Sequence, residues 1–186
     1  MKKLNPAEKK QLKGLNDQVK VLEKELVVAK KKEGIDQYVS IKSKKQQAKF
    51  QRVKIESGRD KATGTYMIEI AVTAKTQPVY IPLTIASGKT TSGFMYHING
   101  TDESSIGRAG VVVTGEGVKR ITIGSLDYAE LAPKVTGLFQ LEVVIKGRVG
   151  QTYQIIVNRI NYKLTLTDPR YQQYLKPIES KVLRFA

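Results

Sequence analysis

Tyr66-Met67-Ile68-Glu69-Ile70-Ala71-Val72-Thr73 decides the fold. In an extended chain Tyr66, Ile68, Ile70 and Val72 point to one side, and Met67, Glu69 and Thr73 to the other. A helix would scatter the same apolar residues around its axis. The alternation recurs downstream. Val79, Ile81, Leu83 and Ile85 alternate with Tyr80, Pro82 and Thr84, and Phe139, Leu141, Val143 and Ile145 alternate with Gln140, Glu142 and Lys146. Tyr153, Ile155 and Val157 follow, then Tyr162, Leu164 and Leu166, with shorter runs at 94–98, 111–114 and 118–123. Pro82 lacks an N–H and so places its strand at an edge or a bulge.

Between these runs stand turn formers: Asn99-Gly100, Gly115-Glu116-Gly117 and the glycine-bracketed Lys146–Gly150. Roughly eight strands at short spacing, with no long helical pattern between them, predict an all-β antiparallel sandwich, jelly-roll-like, rather than a parallel α/β sheet. Asp168-Pro169-Arg170 is expected to open a short helix with Tyr171, Tyr174 and Leu175 on one side. The tail 178–185 is apolar enough to dock on this chain or a neighbour.

Charge divides the chain differently. Of 186 residues, 32 are Lys or Arg and 17 Asp or Glu, a formal net charge of +15. Residues 1–61 hold 18 of the cations and 8 of the acids, so two thirds of the excess lies in the first third of the sequence. The vocabulary also changes, from Lys, Gln, Glu and Leu to β-branched runs, across the turn formers of 56–64. This divides the chain into a basic N-terminal helix and connecting arm (1–61) and a β-sandwich domain with a short C-terminal helix and tail (62–186).

The arm begins with a capped amphipathic helix. Asn5 suits the N-cap, Pro6 the first helical position, Glu8 a capping box, and Gly34 the position after the last turn. Leu12, Leu15, Val19, Leu22, Leu26 and Ala29 follow a 3-4-3-4-3 spacing, a coiled-coil seam about two and a half heptads long. An isolated helix of this kind is marginal in water, so the seam needs a partner. Its regular spacing favours a copy of itself or another chain over its own β domain. Beyond it, Val39-Ser40-Ile41-Lys42 and Phe50–Ile55 alternate in part and read as possible strands within a basic connector.

Composition removes several chemistries. With no Cys and one His, no disulfide, thiolate metal site, Cys nucleophile or clustered-His site can form within one chain. No run approaches the roughly 18 apolar residues of a membrane helix, and Met-Lys-Lys is followed by polar residues rather than an apolar signal core, so cytoplasmic synthesis is expected, with work there or, after exit by a route that reads no such signal, in a virion. Ala86-Ser87-Gly88-Lys89-Thr90 imitates a phosphate loop, but Leu83 occupies the position of the first glycine and a strand follows where a helix is needed, which leaves a polar loop. His97, with Asp102 and Glu103 nearby, reads as a strand histidine beside a solvated loop rather than a hard-cation site. Asn99-Gly100-Thr101 reads as a turn. No cofactor, metal or catalytic residue is expected, and the absence of Trp weakens a sugar-stacking role, although nine Tyr are present.

The basic stretch is the strongest lead. Lys30, Lys31, Lys32, Lys42, Lys44, Lys45, Lys49, Arg52 and Lys54 are the candidate residues for a polyanion or an acidic partner surface, and no acid interrupts 42–54. The plan is similar to that of small virion or phage particle proteins, in which a β domain forms the shell and a basic arm ties subunits together or touches the genome. That likeness is one of architecture and charge. It predicts a non-enzymatic, oligomeric, capsid-associated structural protein. The alternatives are a nucleic-acid-binding protein and a carbohydrate-binding β-sandwich module.

Overall fold

The structure is a computed structural model that describes residue 18 and residues 37–53, 61–87, 91–100 and 105–185. The predicted helix over 6–33, with its seam of Leu12, Leu15, Val19, Leu22, Leu26 and Ala29, lies outside the described residues apart from Gln18. The described residues of the unit Asp36–Ala186 are nearly all antiparallel β-structure in three sheets, consistent with a β-sandwich.

The two strongest alternations form the centre of the first sheet. Strand β2 (Lys61–Ala74) pairs with β9 (Thr136–Arg148) without interruption from Lys61↔Arg148 to Thr73↔Thr136. Strand β1 (Val39–Val53) flanks β2, and β6 (Ser105–Thr114) flanks β9, so the order is β1-β2-β9-β6. Along β2 the residues from Ala62 to Val72 with even numbers are buried, as are the odd-numbered ones of β9. One face of the sheet is therefore core and the other is turned outward.

Opposite the core face stands β10 (Thr152–Tyr162), flanked by β5 (Phe94–Asn99) and β11 (Gln172–Tyr174). Strand β4 (Ile85–Ala86) joins β5 in parallel, and β12 (Ile178–Glu179) and β13 (Leu183–Arg184) pair further along β10. A third sheet holds β3 (Val79–Pro82), β8 (Leu126–Leu131) and β7 (Val118–Ile123) in the order β3-β8-β7. Pro82 ends an edge strand, as its missing N–H requires.

Aromatic rings fill the space between the first two sheets. Phe94 and Phe139 meet at a ring-centroid distance of 5.2 Å, and the buried Tyr66 hydroxyl donates to the Tyr153 carbonyl at 2.8 Å. Each fully buried ring of this size contributes about 1.5–3 kcal/mol of transfer free energy. Glycine makes room for them: a Cβ on Gly147 would stand 2.5 Å from the Tyr153 ring, and one on Gly64 2.6 Å from the Phe185 ring. The apolar tail thus docks on its own chain, with Phe185 buried against Tyr153 at 4.6 Å.

Three sequence readings are altered. No helix forms after Asp168. Its carboxylate accepts from the Arg170 N–H at 2.9 Å, closing a two-residue Asx turn in place of a helix cap, and the buried Tyr174 continues as strand β11 opposite Ile160. The run 79–85 is two strands, because after Pro82 the chain leaves the third sheet for the second: the Leu83 N–H donates to Asp127, and the Thr84 carbonyl accepts from Phe94. Residues 39–53, read as pieces of the connecting arm, form one strand within the β unit.

Strand β1 holds together through a change of register between Ser43 and Lys45. Before it, odd-numbered Val39 and Ile41 sit opposite core residues Ala74 and Val72. After it, even-numbered Gln46 and Ala48 sit opposite Ile68 and Tyr66. The bulge reverses the phase of the alternation, so both halves keep their apolar side inward.

Candidate functional site: the two edges of the four-stranded sheet

The same bulge gathers charge. Lys42 lies opposite Ala71, Lys45 opposite Glu69 and Lys49 opposite Thr65, all on the outward face, and Lys44 stands at the bulge itself. All four side chains are exposed. Lys45 and Lys49 are about 13 Å apart along the strand. No ion pair among the described residues involves any of the four. Arg52 lies near the end of β1, whereas Lys30, Lys31, Lys32 and Lys54 lie outside the described residues.

Across the rest of the outward face, Lys146 and Arg108 add positive charge, while Glu69 and Glu142 subtract it. Arg108 is already bound to Glu142 at 2.7 Å. A shallow depression of 240 Å³ lined by Lys45, Gln47, Met67, Glu69 and Gln140 opens beside β1. The free cations therefore concentrate on the β1 edge. Among the described residues the lining of the depression holds no buried ionisable group and no aromatic ring, so its chemistry is that of exposed positive charge.

The opposite edge has another character, and sequence reasoning missed it. Among the described residues strand β6 pairs with β9 on one side and with no strand on the other. From Arg108 to Thr114 its register on β9 is regular. It carries one cation, no acid and no Pro, and Val112 is 61 % exposed. At Gly115 the chain turns into β7, which belongs to a different sheet, so β6 and β7 diverge around a groove lined by Leu83, Val111, Val113 and Val118.

The remaining candidates lie partly outside the described residues or are structural. His97 is exposed on β5, and Asp102 and Glu103 lie outside the described residues. Among the described residues no three His, Asp or Glu side chains gather as a metal site. The Gly88-Lys89-Thr90 stretch lies outside the described residues, and the strands on either side of it, β4 and β5, run parallel. Six tyrosines, Tyr66, Tyr96, Tyr128, Tyr153, Tyr162 and Tyr174, are buried as core rather than offered as stacking platforms. Tyr171 is tied to the body by Lys163, whose Nζ is 4.7 Å from the ring centroid. Burial, then the Tyr128 hydroxyl 3.4 Å away, pushes the Tyr171 phenol up. On the exposed β7–β8 hairpin Arg120 donates to Asp127, and the Thr122 hydroxyl does so at 2.6 Å. Together they hold the Asp127 carboxyl below its ordinary value. No helix among the described residues is long and apolar enough to cross a membrane.

Comparison with protein-family models, curated proteins and solved structures finds no match for this chain.

Proposed function

We propose that this protein is a non-enzymatic assembly component, of the kind that builds a virion or phage particle, in which a jelly-roll-like β body is the rigid unit and a basic N-terminal helical arm joins it to other subunits. The observation that carries this reading is the row Lys42, Lys45 and Lys49. These side chains are exposed and without ion pairs, and stand on the edge strand into which the lysine-rich first 35 residues lead. The helical seam supplies the apolar contact, and the charge supplies attraction to a negative neighbour.

The same row favours a second reading, contact with nucleic acid through phosphate neutralisation. A carbohydrate-binding role has less support, because six of the nine tyrosines are in the core.

The test is the mass of the full-length chain, by analytical ultracentrifugation at low and moderate salt, beside the double variant Leu15→Lys with Leu22→Lys. The expected result is a wild-type species larger than one chain and a smaller species for the variant. A wild-type chain that is monomeric at every salt and protein concentration overturns the reading.

A further inference from the structure

We propose that β6 is a self-pairing edge: two copies of this chain join through antiparallel β6–β6 contact about a two-fold axis at Gly110, which extends the four-stranded sheet into a continuous eight-stranded one. This deepens the assembly reading and rests on it, naming the partner as a second copy.

A ten-residue edge strand presents a row of backbone N–H and C=O groups, and proteins normally blunt such an edge with lysine, proline, bulges or a covering segment. The β1 edge of the same sheet is blunted by Lys42, Lys44, Lys45, Lys49 and its bulge. Strand β6 has its own register shift between Ile106 and Arg108, but among the described residues no lysine, proline, bulge or paired strand blunts the stretch from Arg108 to Thr114. Their one cation is neutralised within the same sheet by Glu142, and Val111-Val112-Val113 has high β-propensity.

Charge selects the occupant. Two molecules with a formal net charge of +15 repel each other over most of their surfaces. The segment 105–118 holds only Arg108 and Glu116, so this edge lets two copies meet without opposing like charges. An acidic partner would be drawn to β1 instead.

Register then fixes the geometry. A two-fold axis normal to the sheet must pass through a residue, so that outward faces outward on both copies. Centred on Gly110, it sets Arg108 opposite Val112 of the second copy, and Val112 opposite that copy's Arg108. The arginine stem covers the most exposed valine of the strand. Gly110 meets itself at the axis, and nothing lies within 4 Å of a Cβ placed there.

The chain has no Cys, which makes the test direct. At the axis the two Cα atoms of residue 110 are about 4.5–5.5 Å apart, within disulfide range. The two copies of Thr114 are about 27 Å apart. Full-length Gly110→Cys and Thr114→Cys are oxidised in parallel, each also in the Leu15→Lys, Leu22→Lys background. The expected result is a disulfide-linked dimer that forms at least about tenfold faster for Gly110→Cys than for Thr114→Cys, in both backgrounds. Equal rates overturn β6 pairing. If ultracentrifugation still shows the seam-dependent species, the assembly reading survives that failure. Rapid Gly110→Cys linkage, with a mass unaffected by the seam substitutions, supports β6 pairing and removes the helical seam from the assembly.

Discussion

The β1 and β6 edges belong to one sheet and share one core, yet they are built to opposite rules. Strand β1 is long, bulged and studded with exposed lysines that make no ion pair among the described residues, the chemistry by which an edge strand resists pairing. Strand β6 is nearly uncharged, with Val112 turned to solvent. A sheet with two sticky edges polymerises without limit, whereas one with a single sticky edge stops at a pair. In the assembly proposed above, the difference between the edges separates self-pairing at β6 from contact with a partner of opposite charge at β1.

The most severe way to break this contrast is to soften the sheet that carries both edges. Phe139 is fully buried on β9 against Phe94, and Phe139→Ala is expected to cost about 3–5 kcal/mol in chemical denaturation. Tyr66→Phe leaves the ring but removes its donation to the buried Tyr153 carbonyl, with an expected cost of about 1–3 kcal/mol by the same measurement. Giving β6 the chemistry of β1 tests the contrast itself. Val112→Lys sets two cation pairs across the proposed axis and should weaken self-association about tenfold or more, whereas Val182→Lys, which adds the same charge on the exposed tail, should leave it unchanged. Sedimentation equilibrium reads both.

Stripping β1 of its charge sharpens the other side. Changing Lys42, Lys45 and Lys49 to Gln should lower the slope of log binding constant against log salt, on a duplex polyanion, by about 0.9 for each lysine that meets a phosphate. An unchanged slope would remove β1 from anion binding. The smallest effect concerns acid. The Asp127 carboxyl lies below its ordinary 3.8 because Arg120 and Thr122 donate to it. The stability from this interaction is therefore complete above the ordinary carboxyl range and is lost as the pH falls through the lowered folded value. Carbon-detected NMR titration should return Asp127 towards 3.8 in Arg120→Gln.

How much of this was legible depended on whether the determining contacts were local. Strands β2 and β9 were plain because their apolar alternation is long, running over 62–72 and 139–145, even though Ala71 and Val144 on the outward side are buried too. Strand β8 was not: in Leu126-Asp127-Tyr128-Ala129-Glu130-Leu131 the adjacent Tyr128 and Ala129 are both buried, and Asp, Ala and Glu dilute its β character. Strand β1 read as two fragments because the bulge at 43–45 reverses its phase. The Asp168-Pro169 signal was real, but the carboxylate served an Asx turn. The lysine cluster was visible in the sequence, whereas its collection on one face followed from the bulge. That β6 is an edge depends on strand order, a property of distant partners that no local pattern records.

The long β1–β2 pairing also has a mechanical meaning. Whatever grips the chain ahead of Asp36 pulls on β1 at Val39, which is buried opposite Ala74 and braced by the Lys75 N–H on the Tyr38 carbonyl at 2.8 Å. A load along the strand axis is shared in shear by every pair from Val39↔Ala74 to Val53↔Lys61, while a sideways load unzips them one at a time from Val39. The joint is therefore strong in one direction and yielding in another, and in the proposed assembly the angle at which a neighbour held the arm would decide whether it acts as a tether or a release.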